Sequence, residues 1–228
     1  MSRLADNFAA VRARIADACR AAGRPERDVQ LLAVSKRHPP QAVLDAIEEG
    51  QSMFGENRVQ ELVQKAGELA DAPLEWHLIG SLQTNKVRDL LRVARLTLLH
   101  SLDRVRLANA LHAELEANGR QLDVLLQVNA SQEEQKHGCA LEDAPALLEH
   151  VQQRCATIRV QGLMAMGPLE GDARVAFDRA AALRDDLRVR SGLPLDTLSL
   201  GMSGDLEQAI AAGSTMVRVG TALFGARD

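Results

Sequence analysis

The sequence predicts an α/β protein, a single (β/α)8 barrel of eight parallel strands with an extra helix at its N-terminus. Two observations favour this fold. Short apolar runs, each typical of a buried strand, alternate with helical patterns along the chain, and this alternation indicates a parallel sheet. The runs number eight in 228 residues, a length near that of ordinary barrels. A doubly wound sheet would also alternate strands and helices, but the count favours closure into a barrel.

The extra helix is expected within residues 1–22, before the first strand. Its apolar residues recur in steps of three and four, which is the spacing of one face of an amphipathic helix. These residues are Leu4, Phe8, Val11, Ile15 and Ala18. Gly23 and Pro25 follow, and both residue types commonly mark the end of a helix.

The strand-like runs and the helical patterns between them cover most of the remaining chain. Strands are expected at residues 29–34, at a short run that ends at 54, and at 75–79, 96–100, 122–128, 158–164, 195–200 and 215–219. Helices are expected at 40–49, from about 57, and at 84–94, 103–118, 142–154, 173–190 and 205–212. No Pro-, Gly- or Ser-rich linker divides these elements, so we expect one domain over residues 1–228.

The composition excludes several classes of function. A net charge of −4 and an aromatic content of 2% argue against nucleic-acid binding, which needs a basic face or stacking surfaces. The three cysteines form no C-x-x-C pair, which suits a reducing compartment better than a disulfide framework or a zinc site. Residues 1–20 lack the continuous apolar run of a signal peptide or a membrane span. We therefore expect a cytoplasmic protein that binds neither nucleic acid nor membrane.

Lys36 is the first candidate for chemistry, because it directly follows the first predicted strand. Binding residues of such barrels lie in the loops after the carboxyl ends of the strands. There the lysine stem would lie in apolar surroundings, with the amine at the barrel mouth. Partial desolvation favours the neutral amine, which is the nucleophilic form that a Schiff base requires. The alternative is an ordinary solvated loop lysine.

The loops after the seventh and eighth strands carry small and hydroxyl-bearing residues. Phosphate sites of (β/α)8 barrels are typically built from these two loops. Ser203 and Thr221 offer hydroxyl donors, and Gly220 lets the backbone approach a phosphate oxygen closely. The alternative is that these residues serve only as turns.

Three further features remain open at this point. Arg218 interrupts an apolar strand, so its side chain points either into the barrel, where it needs a partner or ligand, or outward to a helix carboxylate. His77 and His100 lie on strands without metal-ligand spacing, and either is a candidate for a hydrogen-bonded core histidine. The polar loop 131–138 holds Lys136 and His137, which could contact anionic ligands.

Six segments of the chain form a specific combination. They are L-A-V-S-K at 32–36, F-G-E-N-x-V-Q-E at 54–61, W-H-x-I-G-x-L-Q-x-N-K at 76–86, G-L-M-A-M at 162–166, L-S-L-G-M-S-x-D at 198–205 and A-G-S-T-M-V-R-V-G-T-A-L-F-G-A-R at 212–227. Together they resemble the YggS/PROSC family of pyridoxal 5′-phosphate (PLP)-binding, or PLP homeostasis, proteins. The family is similar to the barrel domain of fold-type III PLP enzymes such as alanine racemase. The resemblance covers nearly the whole chain, and its specificity lies in the combination of segments.

The resemblance implies that PLP is the cofactor and that Lys36 holds it as a Schiff base (an aldimine). Ser203, Gly220 and Thr221 would bind the phosphate. Arg218 would point inward and face the pyridine nitrogen, which would keep that nitrogen unprotonated and make PLP a poorer electron sink.

The resemblance also implies that Asn57, in the loop after the second strand, lines the site near the cofactor. The sequence departs from the family pattern at Arg58, where tyrosine is common, at Ser81, where proline is common, and at Gly204, where an acidic residue is frequent. These departures affect the details of the loops and leave the expected cofactor unchanged.

Two functions of different class fit this resemblance. The first is a PLP-binding protein of intracellular PLP homeostasis that turns over no substrate efficiently and serves apo PLP-dependent enzymes as partners. The second is a PLP-dependent racemase or decarboxylase of fold type III. A two-base racemase of this fold uses a tyrosine from a second domain of the partner subunit. This sequence has no tyrosine and we expect no second domain, so the first function is favoured.

A third possibility is a barrel that binds some other phosphorylated small molecule and forms no covalent adduct. The charged outer faces of the helices, which show no obvious large apolar patch, favour a monomer. No catalytic residue and no metal ligand is expected.

Overall fold

A computed structural model of the chain describes residues 2–131, 133 and 137–225. Within them, eight parallel strands close into one barrel. Each strand pairs with the next along the chain, and the last pairs with the first. The (β/α)8 barrel expected from the sequence is therefore confirmed.

The secondary structure follows the alternation that the sequence shows. The strands are β1 (Gln30–Val34), β2 (Met53–Glu56), β3 (Glu75–Leu78), β4 (Leu96–Leu102), β5 (Leu122–Gln127), β6 (Ile158–Met164), β7 (Thr197–Ser199) and β8 (Met216–Val219). The α-helices are α1 (Arg3–Ala21), α2 (Pro40–Glu48), α3 (Val59–Glu68), α4 (Val87–Leu90), α5 (Val105–Ala117), α6 (Ala144–Arg154), α7 (Ala173–Ser191), α8 (Leu206–Ala211) and α9 (Thr221–Phe224).

Apolar side chains form two layers, one on each side of the barrel wall. The larger layer lies between the strands and the helices and includes Phe54, Trp76 and Phe177. The smaller layer fills the inside of the barrel and consists of Leu32, Leu98, Leu125, Met164 and Met216. Successive side chains of a strand point to opposite faces, so β1, β4, β5, β6 and β8 contribute to both layers.

Helix α1 packs against α8 and α9, which follow β7 and β8. Phe8, Val11 and Ile15 of its apolar stripe are buried, as the spacing predicts. The ring of Phe8 meets that of Phe224 edge to face, with centroids 6.5 Å apart. The extra N-terminal helix is thus anchored to the segments that follow the last two strands.

No helix in the described part of the chain combines the length and the apolar character that crossing a lipid bilayer requires. The two 19-residue helices, α1 and α7, both have charged residues along their exposed faces.

Several boundaries differ from those expected. Strand β2 continues through Gly55 and Glu56, which the sequence placed in a loop, because these residues pair with β3. The expected helix at 84–94 is a 3-10 turn, Thr84–Lys86, followed by one α-helical turn in α4. Strand β7 is only three residues long. The short helix α9 was expected to be part of a loop.

Candidate functional site

The segments after β1 and β8 lie side by side on the rim formed by the carboxyl ends of the strands. β1 and β8 are parallel neighbours, with Ala33 opposite Val219. A Cβ atom placed on Gly220 would lie 3.1 Å from the carbonyl oxygen of Val34, so the end of β8 packs closely on β1. The two segments also meet further from the strands, where the ring centroids of His38 and Phe224 are 5.1 Å apart.

Lys36 lies on this rim, two residues beyond the end of β1, and is half-buried. It sits in a turn closed by a hydrogen bond of 3.0 Å from the N–H of His38 to the carbonyl oxygen of Ser35. The residue after it, Arg37, has a positive φ of 64°. A non-glycine residue adopts that backbone conformation at a cost of ~1–2 kcal/mol, so the turn must be held by other contacts.

The turns after β7 and β8 present unpaired backbone donors next to each other. The N–H groups of Ser203, Gly204, Gly220, Thr221 and Ala222 have no hydrogen-bond partner in the described part of the chain. The two turns are adjacent because β7 pairs with β8, and because the N–H of Arg218 donates to the carbonyl oxygen of Gly201 at 3.0 Å. Such a group of free donors is suited to an anion.

Helix α1 holds both of these turns in place. The Arg14 guanidinium donates to the carbonyl oxygen of Ser203 at 3.0 Å and forms an ion pair of 2.8 Å with Glu207. The Asn7 side-chain amide donates to the carbonyl oxygen of Leu223 at 2.7 Å. The sequence shows an amphipathic helix but gives no sign of these two contacts.

Arg218 points into the barrel, which the strand pattern alone left open. Its guanidinium donates to the carbonyl oxygen and the hydroxyl of Ser199, at 2.6 and 2.7 Å, and to the carbonyl oxygen of Ala165 at 2.9 Å. Burial lowers the pKa of Arg218 to about 10, while the charge of Asp205 raises it. The side chain therefore stays charged at neutral pH in a dry environment.

Two histidines continue this arrangement and form, with Ser199 and Arg218, an inner cluster. His77 Nδ1 and His100 Nε2 lie 3.0 Å apart, and His100 Nδ1 lies 3.2 Å from the Ser199 hydroxyl. Burial lowers the pKa of His77 to about 4 and that of His100 well below its usual value. Both rings are neutral at pH 7, and the sequence prediction of hydrogen-bonded core histidines is confirmed.

Asn57 lies on the same rim, one strand further round the barrel. Val34 pairs with Gly55, so continuing this register places Asn57 level with Lys36. Its side chain is exposed and lines a groove of about 770 Å³ that also contains Arg58, Lys86 and His137.

Lys136, a candidate for anion contact together with His137, lies outside the described residues. Of the other predicted site residues, Ser203 is half-buried and Thr221 is exposed at the start of α9. Lys36 thus follows β1, Arg218 lies on the adjacent β8, and Gly220 and Thr221 directly follow β8. Ser203 and Asn57 follow the next strands on either side, β7 and β2.

The fold and this rim define a barrel of the alanine racemase type. The family described as "Alanine racemase, N-terminal domain" matches residues 7–228. The alanine racemase of Clostridium difficile shares the fold at a TM-score of 0.73 and 13% identity, over 94% of this chain and 56% of the racemase.

Sequence comparison assigns the chain more narrowly. It is 49% identical to the pyridoxal phosphate homeostasis protein of Pseudomonas aeruginosa, over 100% of this chain and 97% of that protein. PipY of Synechococcus elongatus, solved with PLP bound, superposes with a TM-score of 0.85 at 36% identity, over 98% of this chain and 100% of PipY. The chain belongs to the family of pyridoxal phosphate homeostasis proteins.

Proposed function

We propose that this protein binds PLP at the rim described above, with Lys36 as the point of covalent attachment, and acts in PLP homeostasis without efficient turnover. The observation that carries the proposal is the arrangement of β1 and β8. It sets the Lys36 turn directly beside the turn after β8, whose free backbone donors adjoin those of the turn after β7. The name of the Pseudomonas relative and the PLP bound to PipY support the same function.

The residues at the rim fit the chemical groups of PLP. The unpaired N–H groups of Ser203, Gly220 and Thr221 suit the phosphate, and two of these residues add hydroxyl donors. Gly220 offers a backbone surface that any larger residue would disturb, since a Cβ there would lie 3.1 Å from the Val34 carbonyl oxygen. Asn57 would line the edge of the site.

Arg218 suits the pyridine nitrogen, because it is a fixed donor with no acceptor capacity. The three hydrogen bonds to Ser199 and Ala165 hold its guanidinium in one orientation. An arginine that stays charged leaves the ring nitrogen unprotonated, which weakens the electron-withdrawing power of the cofactor.

PLP supplies an aldehyde that reacts with a neutral amine and releases one water molecule. Lys36, half-buried in the turn after β1, is the amine that this chain would supply. This chain's residues would then bind the phosphate, orient the ring and hold the Lys36 amine at the rim beside it.

A racemase or decarboxylase function is the weaker candidate. Racemisation with two bases needs an acid–base group on each face of the substrate, and the fold-type III solution uses a tyrosine opposite the lysine. The sequence has no tyrosine. The arginine beside the ring also disfavours reactions that store electrons in the cofactor.

Partners in this proposal are PLP and apo PLP-dependent enzymes, and the protein acts as a monomer in the cytoplasm.

The proposal is tested by mixing the purified protein with PLP, recording the visible absorbance, reducing with borohydride and mapping the modified peptide. We expect a yellow, reducible adduct on Lys36 in the wild type. Lys36→Ala should lose the colour but keep its fold, since the side chain lies in a rim turn. Lys86→Ala, in the groove beside Asn57, is the matched control and should behave as the wild type. An adduct that survives in Lys36→Ala, or that maps to another lysine, would refute the proposal.

A further inference from the structure

A second group of buried polar side chains lies on the other side of the barrel wall, between β1, β2 and α3. We call Ser35, Glu56, Glu61 and Lys65 the outer cluster. The Lys65 ammonium donates to Glu56 Oε1 at 2.7 Å and to Glu61 Oε1 at 2.8 Å. The Ser35 hydroxyl donates to Glu56 Oε1 at 2.6 Å. The side chains of Lys65 and Glu56 are only 5% and 0% exposed.

The hydrogen bonds of the outer cluster hold the two residues on either side of Lys36. Lys65 also donates to the carbonyl oxygen of Ser35 at 2.8 Å. The N–H of Arg37 donates to Glu61 Oε1 at 2.5 Å. Arg37 is the residue with the positive φ of 64°, so Glu61 stabilises the strained position of the turn. One ammonium and one carboxylate therefore hold both neighbours of the proposed attachment residue.

Stability alone is a poor explanation for the outer cluster. A buried ion pair of this kind often contributes no more to stability than well-packed apolar side chains would. Glu56 Oε2 is buried and has no hydrogen-bond partner in the described part of the chain, which adds a desolvation cost. Burial raises the pKa of Glu56, although Lys65 acts in the opposite direction. What the cluster does provide is a fixed backbone geometry around Lys36.

We propose that Glu56, Glu61 and Lys65 are positioning residues that direct Lys36 into the barrel mouth. The ladder between β1 and β2 reaches Ser35, whose N–H donates to the carbonyl oxygen of Gly55 at 3.1 Å, and the bond to Glu56 fixes the Ser35 side chain on the helix side of the sheet. If strand alternation carries on for one residue, Lys36 is directed to the opposite side. The inference rests on the proposed function and adds the means by which the amine is oriented.

The test separates positioning of the amine from binding of the cofactor. The rate constant for covalent attachment of PLP is measured by stopped-flow absorbance. The dissociation constant of 4′-deoxypyridoxine 5′-phosphate, which lacks the aldehyde, reports on the remainder of the site. The variants are Glu61→Ala, which frees the Arg37 N–H, and the charge-neutral pair Lys65→Met with Glu56→Gln.

We expect the attachment rate constant to fall ~10-fold or more, because a misdirected nucleophile loses its effective concentration. Binding of the analogue should stay within ~2-fold of the wild type, a difference of under 0.5 kcal/mol. Glu61→Gln keeps an acceptor oxygen and should restore most of the rate. Glu114→Ala removes an exposed ion pair with Arg88 and is the matched control.

A wild-type attachment rate in folded Glu61→Ala would overturn the positioning role. A loss of analogue binding as large as the loss of attachment rate would also overturn it, because the outer cluster would then support the whole site. Glu61→Ala decides the question if the paired variant does not fold, because Glu61 is partly exposed. Failure of the wild type to form any adduct would instead refute the proposed function itself.

Discussion

The inner cluster and the outer cluster are both buried against the barrel wall, but they handle charge in opposite ways. In the outer cluster, Lys65 forms ion pairs with Glu56 and Glu61. In the inner cluster, the hydrogen bonds of Arg218 within the described residues all end on neutral oxygens. The charges of the outer cluster are balanced by the chain itself, whereas the inner cation is not balanced by direct contact.

This difference indicates which cluster is suited to a ligand. A buried cation whose hydrogen-bond partners are all neutral still attracts a hydrogen-bond acceptor or an anion from outside the chain. Its positive charge also disfavours protonation of neighbouring basic side chains. The charge of Arg218 is indeed one cause of the lowered pKa of His100, after burial and the effect of His77. The outer cluster, whose charges are paired within the chain, does not attract a ligand in this way. Its effect is on the geometry of the adjacent Lys36 turn.

The largest change in the free energy of unfolding is expected when one charge of the outer cluster is removed without its partner. Lys65→Met leaves Glu56 buried without its cation, and removing one partner of a buried ion pair costs ~3–5 kcal/mol. Urea unfolding should show this loss at pH 8 and a smaller loss at lower pH, because burial raises the pKa of Glu56 and the protonated carboxyl group carries no charge. Adding Glu56→Gln should recover much of the stability. A single variant as stable as the wild type would contradict the ion pairing seen here.

A smaller effect is expected from the neutral histidines of the inner cluster. The folded-state pKa of His77 is about 4, below its ordinary value of 6.5. The unfolded chain therefore binds the proton more tightly, and the stability contributed by this residue is present above pH 6.5 and lost as the pH falls toward 4. For this one group the loss between pH 7 and pH 5 is about 2 kcal/mol.

The measurement is the free energy of unfolding at the two pH values in His77→Gln and in the wild type. The variant should show a pH dependence weaker by that amount, since glutamine does not titrate. Val189→Ala, at an exposed position of α7 that does not titrate, is the control and should keep the wild-type dependence. An unchanged pH dependence in His77→Gln would show that folding does not lower the pKa of this ring.

The strand order and the rim position of Lys36 could be predicted because they follow from local patterns. Eight apolar runs separated by helices imply the barrel, and the barrel fixes the rim. That His77, His100, Ser199 and Arg218 form one cluster could not be predicted, because the four residues come from four different strands. The contact between the two histidines depends on how β3 pairs with β4, and that pairing includes a register shift between Trp76 and His77.

The outer cluster left a partial signal in the sequence. Lys65 follows Glu61 by four residues and lies on the same stripe of α3 as the buried Leu62 and Ala66. A lysine at such a position requires a partner. Its partner Glu56 could not be found in this way, because the apolar run that predicts β2 ends at Phe54, and Glu56 was expected in the loop that follows.

The most direct test of the account is a crystal structure of the protein with PLP. We predict that Lys36 Nζ is bonded to the cofactor, that the phosphate lies against the N–H groups of Ser203 and Gly220, and that the pyridine nitrogen faces Arg218. PLP bound at the opposite rim of the barrel, or bonded to Lys86 in the groove beside Asn57, would contradict the account.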